Sequence, residues 1–281
     1  MNKRTKQVIW IIIISAILLG TFYFLSSYEY VAGGGFARMS EIRFENIGAA
    51  TTIFIYGKIV AGKTNRDGFR TVSVRPGPHS VIVSATDSWP WMKAMDVKAG
   101  KSVAMSPFLL SNKPIIKVYS VRSEDHLSLS SKINASKKAV AEPKIASEIE
   151  SAYQNRVLLS ANINSNKRLG VWIEGNSIMA ALPATAKCQT IAEDNCAKII
   201  SIMSASKTPL NVFTHDDRDD FAIVAFPDGV YAVEIAPETE FRNFEVIYSG
   251  NISKASLDQA HLLLKDEKNE ITQVPIILGG M

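Results

Sequence analysis

The hydrophobic pattern changes character three times along the chain. From Val8 to Leu25 the run VIWIIIISAILLGTFYFL carries no charge. As a helix rising about 1.5 Å per residue it spans about 27 Å, close to the roughly 30 Å thickness of a bilayer core. Trp10 lies near one end and Phe22, Tyr23 and Tyr28 near the other, where amphipathic rings meet headgroups. From about residue 40 the period drops to two, the signature of half-buried strands. Between Ser111 and Gln154 the periodicity fades, and it returns over 155–281.

In the first β-rich stretch, residues 40–110, Thr52–Tyr56 predicts a strand with a turn starting at Gly57-Lys58. Arg70–Arg75 alternates, so Val72 and Val74 share a face. Pro76-Gly77-Pro78 then predicts a tight turn returning through His79–Ser84, with His79 packed beside the turn. Met95–Lys98 and Ser102–Met105 read as a hairpin about Ala99-Gly100. Turns spaced by about 8–12 residues predict a small β-sandwich.

Several of these features recur together in one family. A strand ends in Gly57, followed by Gly62-Lys63-Thr64. Next come the Arg75-Pro76-Gly77-x-His79 turn leading into Val81–Val83 and Gly100 before a last strand. Over about Thr51–Leu109 the chain thereby resembles the PEGA domain family. The resemblance implies a binding or spacer module without chemistry of its own. Two features depart from the family pattern: Asn65 stands where Pro is usual, and the region Trp89-Pro90-Trp91 replaces a Gly-Tyr pair. Trp89 and Trp91, two apart, could share a face and stack against a sugar as ligand contacts. Alternatively they fill the open end of the sandwich.

Residues 111–154 are poor in aromatics and hold little apolar periodicity beyond Leu127, Leu129 and Ile133, which predicts a linker with a short helix near Ala146–Tyr153. The C-terminal stretch reads as successive antiparallel strands, with Pro227-Asp228-Gly229 as a tight hairpin turn. Groups of about four strands resemble β-propeller blades, but the length accommodates only about three blades of 40–45 residues, and closed rings start at about four. The expected fold is therefore mainly β. It comprises one N-terminal transmembrane helix, a PEGA-like sandwich, and a propeller-like antiparallel region. That region is either an incomplete propeller, completed by a second copy or a partner, or another kind of sheet.

Charge orients this arrangement. The formal net charge is +4, and Lys3, Arg4 and Lys6 carry three of those charges. The remainder is close to neutral, without the basic surface a nucleic-acid binder needs. Positive charge before the apolar run keeps residues 1–7 in the cytoplasm and exports the rest, so 8–25 reads as a signal-anchor. The alternative is a signal peptide cut within Ala32–Gly35.

Cys188 and Cys196 are the only cysteines, and an oxidising compartment favours a disulfide between them over two free thiols. No His or further Cys stands at zinc spacing. The cluster His215–Asp220 lacks the frame of a calcium loop and reads as a solvated turn. Gly-x-Ser-x-Gly, Ser-x-x-Lys and His-Glu-x-x-His are absent. No catalytic residue, cofactor or metal site is expected. The functional expectation is a non-catalytic, membrane-anchored, extracytoplasmic binding protein of the cell envelope. Its partners are the membrane and an envelope glycan or surface protein, with self-association through the C-terminal region as a further contact. The alternative is an exported hydrolase or peptidase whose site is not recognisable in sequence. A sensory role is disfavoured by the short cytoplasmic tail.

Overall fold

The computed structural model describes residues 3–31, 35–45, 47–48, 50–64, 69–136, 164–165, 170–181, 199–215, 218, 220–235 and 242–278. Helix α1 (Lys3–Ser27) leads into a hairpin of β1 (Tyr28–Val31) and β2 (Gly35–Arg38). Side chains of α1 are described over 9–22, and all are exposed. Among the described residues, which in α1 include side chains only over 9–22, no helix is long and apolar enough to cross a membrane.

Two four-stranded sheets follow. One has the order β10 (Ser102–Met105), β3 (Ser40–Phe44), β7 (Arg70–Val74), β6 (Lys63–Thr64). The other runs β5 (Lys58–Ile59), β4 (Thr52–Ile55), β8 (Gly77–Ser84), β9 (Trp91–Val97). Alternation points one face of each sheet at the other. Ile42, Phe44, Val72 and Val74 from the first meet Ile53, Ile55, Val81 and Val83 from the second in one buried cluster. Tyr56 and Gly57, with φ of 52° and 72°, form the two-residue connection between β4 and β5 that twisted hairpins favour. Two expected reversals are in fact crossovers. Pro76 connects β7 in one sheet to β8 in the other, and Ala99-Gly100 connects β9 to β10, which pairs in parallel with β3. Turn residues set the bend, but burial of both inner faces decides which sheet the next strand joins.

Among the described residues three more four-stranded sheets follow, each wholly antiparallel and built mainly from the C-terminal region. The first comprises β12 (Asn164–Ser165), β13 (Gly170–Glu174), β14 (Ser177–Ala181) and β15 (Ile199–Ser204). The middle one comprises β16 (Asn211–Thr214), β17 (Phe221–Phe226), β18 (Gly229–Glu234) and β19 (Phe244–Ser249). The third runs β20 (Lys254–Asp258), β21 (His261–Lys265), β22 (Ile271–Pro275) and then β11 (Lys117–Tyr119). Pro227 and Asp228 make the tight turn between β17 and β18, as the sequence predicts. Gly229 admits the backbone there, because a Cβ would stand 2.7 Å from the Tyr248 carbonyl oxygen.

The sheets are stacked. Every residue of β17 is buried. Ala222, Val224 and Phe226 pack with Val171, Ile173 and Ile178 of the first sheet. Phe221, Ile223 and Ala225 pack with Leu262, Leu264 and Val274 of the third. The same cluster continues into the sandwich, where Phe108 and Phe221 have ring centroids 4.9 Å apart. No propeller ring is closed among these sheets.

The expected linker is ordered where it is described. β11 completes the third sheet, and α2 (His126–Ala135) covers that sheet's other face, Leu129 and Ile133 packing on Leu263 and Ile271. His126, Leu129 and Ile133 are spaced to share one side of a helix, so three residues suffice where the sequence shows too few for an evident pattern. Lys132 pairs with Asp258 at 2.6 Å, and His126 Nε2 lies 2.7 Å from the Asn269 carbonyl. The helix expected near Ala146–Tyr153 falls outside the described residues.

Candidate functional site

Among the described residues, buried polar groups converge at the seam between the sandwich and the middle C-terminal sheet. β9 is an edge strand whose inward positions include Trp91, Lys93 and Val97. Period two therefore carries a lysine into the interior. Lys93 Nζ donates to Glu234 Oε1 at 2.7 Å, with the two side chains 2% and 8% exposed. Glu234 Oε2 accepts from the Asn243 backbone N–H at 3.0 Å and its Nδ2 at 2.8 Å. The carboxylate is thus held by three donors, and a buried ion pair persists only when such hydrogen bonds offset desolvation.

Asn243 also acts as a substitute strand. Its Oδ1 accepts from Met92 N at 2.9 Å, while its Nδ2 donates to Met92 O at 2.8 Å. One amide therefore satisfies both edge groups of β9 at this residue. Trp89 does the converse, its Nε1 donating to the Val246 carbonyl on β19, the edge strand of the middle sheet, at 3.1 Å.

The two expected contact tryptophans part company here. Trp91 is 3% exposed and belongs to the core, whereas Trp89 is 38% exposed at the seam. Trp89 bonds the Val246 carbonyl and Met92 bonds Asn243, so Met92, Phe244 and Val246, all exposed, belong to the same seam, with Phe244 stacked on Tyr231 at 4.7 Å. Together they make an apolar ledge suited to a flat or hydrophobic ligand face. On the same strand, burial pushes Glu245 up to about 7. Burial lowers Arg242, opposed by the charge of Glu234. Arg242 Nη1 donates to the Ser201 carbonyl at 3.0 Å and also to that of Ile202, tying this segment to β15.

A second clamp corrects the solvated-turn expectation for His215–Asp220. His215 and Arg218 are buried. Arg218 Nη2 donates to the Ser106 and Pro107 carbonyls at 3.0 and 3.2 Å, and Asp220 holds its Nε at 2.8 Å. The guanidinium bridges two chain segments because its planar fork serves several acceptors at once. Asp216, Asp217 and Asp219 lie outside the described residues, as do Cys188 and Cys196. Among the described residues no group of three or more His, Cys, Asp or Glu could hold a metal ion.

Sequence reading missed Lys93, Glu234 and Asn243. A usable signal exists for Lys93, since Trp91, Lys93, Met95 and Val97 alternate and extend the strand read over Met95–Lys98 toward the N-terminus. Glu234 and Asn243 carry no such local mark.

No family model matches the chain, and no curated protein matches it. Among solved structures it is similar to a DUF3823 family protein from Bacteroides ovatus ATCC 8483, with TM-score 0.22, 10% identity, and coverage of 85% of this chain and 97% of that one. It is also similar to a protein assigned to peptidase M23 from Pseudomonas aeruginosa, with TM-score 0.19, 10% identity, and coverage of 91% and 93%. Likenesses this slight carry no argument about activity.

Proposed function

We propose that the chain is a membrane-anchored, extracytoplasmic protein of the cell envelope that works by binding rather than catalysis. The observation that carries this reading is α1, whose described side chains expose apolar surface on every face, from Trp10 at 64% to Phe22 at 73%. An amphipathic helix hides one stripe, whereas a helix apolar all round is stable in lipid and not in water. Charge before the run orients the β-rich body outward.

In this reading the sandwich is a PEGA-like spacer, and the three stacked sheets are propeller blades arranged without a ring. The ledge around Trp89 receives an envelope glycan or a surface protein. Binding is favoured over hydrolysis because the groups converging at the seam are engaged in holding it together: Glu234 by Lys93 and Asn243, and Arg218 by Asp220 and two carbonyls.

The test fuses a reporter after Met281 that is active only outside the cytoplasm and follows the full chain through high-salt and carbonate washing. An active reporter on protein retained in the membrane pellet is the expected result. A soluble product starting near Gly34 or Arg38 would show a cleaved signal and overturn the anchor.

A further inference from the structure

From the geometry of β11 we infer a strand-addition site for an acidic, extended segment of another protein. β11 is the terminal strand of the third sheet, and β22 occupies only its inner edge, with Lys117 opposite Gln273, Val118 opposite Thr272 and Tyr119 opposite Ile271. One face is also covered, since Tyr119 packs in the α2 cluster and its hydroxyl donates to Gln273 Oε1 at 2.9 Å. The outer edge and the face carrying Ile116 and Val118 have no such cover among the described residues.

The exposure there is large for apolar side chains: Ile115 76%, Val118 63% and Val121 55%, with Ile277 beside them at 46%. Ser111 N bonds the Ile277 carbonyl, so the C-terminal segment continues the same surface. An apolar edge strand with outward backbone groups is a template for another strand. Pro114 bounds it on the N-terminal side, because proline has no amide proton to offer.

Charge selects the occupant. Residues 111–122 contain Lys113, Lys117 and Arg122 and no acidic residue. Lys113 is engaged by Asp87 at 2.6 Å, which leaves the exposed Lys117 and Arg122 flanking the apolar strand. A second copy would bring the same cations to the joint edge again with no carboxylate from 111–122 to meet them, and accumulated like charge disfavours that pairing. A lipid surface would attract the cations but cannot satisfy the backbone N–H and C=O groups of an open edge. An extended peptide alternating β-branched and acidic residues meets both requirements: its backbone completes the ladder and its carboxylates reach Lys117 and Arg122.

This site names a partner class for the binding protein proposed above and rests on that reading only for its cellular setting. The test uses the full chain in neutral detergent micelles and a fluorescent synthetic peptide of alternating Val and Glu, read by anisotropy. The expected result is saturable binding that weakens at least tenfold when alternate peptide nitrogens are methylated, when Glu is replaced by Lys in the peptide, or in K117E/R122E. That charge-reversed protein should bind the Lys peptide instead, which shows that it folds. No binding of the Val-Glu peptide, or binding indifferent to N-methylation, overturns the proposal. So does a concentration-dependent dimer abolished by Val118→Lys, or binding to phosphatidylglycerol vesicles in place of peptide. Failure of the topology test with peptide binding intact would refute the anchor alone.

Discussion

Strand β8 of the sandwich and strand β17 of the middle sheet solve burial differently. β8 shows its interior at every second residue, His79, Val81 and Val83 inward and the intervening positions more exposed. β17 is buried at all six positions. The alternating strand has one covered face, while the continuous apolar run FAIVAF has two, because the middle sheet lies between its neighbours. Alternation therefore announces a surface sheet, whereas an unbroken run announces a sheet that only other layers can cover.

The comparison breaks most sharply where the two regions are joined. Glu234→Ala leaves the Lys93 ammonium buried without its carboxylate and should destabilise the protein by about 3–5 kcal/mol in urea unfolding. The double variant K93M/E234L should recover most of that loss, since an apolar pair of similar volume removes both charges. An E234A effect below about 1 kcal/mol would mean that water reaches the seam.

Phe221→Ala tests whether the sandwich and the stacked sheets unfold together. Phe221 packs on Phe108 and His215 and has no exposure, so its truncation should cost about 3–4 kcal/mol. A single cooperative transition shifted as a whole is expected by calorimetry. If instead one transition moves and a second stays in place, the shared core does not couple the two regions.

A smaller effect sharpens the picture of the edge strand β19. Burial raises Glu245 from its ordinary 4.5 to about 7 in the folded protein. Below about pH 4.5 the carboxyl is protonated in both states and its contribution is fully present. As pH rises toward 7 the unfolded chain releases the proton first, so stability is lost through that window and levels off above it. The loss is expected to be about 1 kcal/mol, discounted because the side chain is only half buried. Glu245→Gln should flatten this part of the stability–pH profile; an unchanged profile would show that the group stays hydrated.

Much of the local structure follows from sequence alone. The apolar run of α1, the period-two strands β4, β7 and β8, and the Pro227-Asp228 turn all depend on backbone preferences and side-chain periodicity within a few residues. Tertiary packing decided the rest. After Pro76 and after Gly100 the chain could return in the same sheet or cross to the other, and only burial of two facing surfaces selects crossing. Trp89 and Trp91 look alike in sequence, yet one lies at the seam and the other in the core. Three residues at 117–119 became a strand because β22 offered an unpaired edge, and a sparse trio of side chains fixed α2 because an apolar sheet face lay beneath it. Lys93 could enter the interior because Glu234, some 141 positions away in sequence, and Asn243 were brought there by other strands. Partners so distant in the chain leave no periodic trace, since their meeting is set by which surfaces must leave water together.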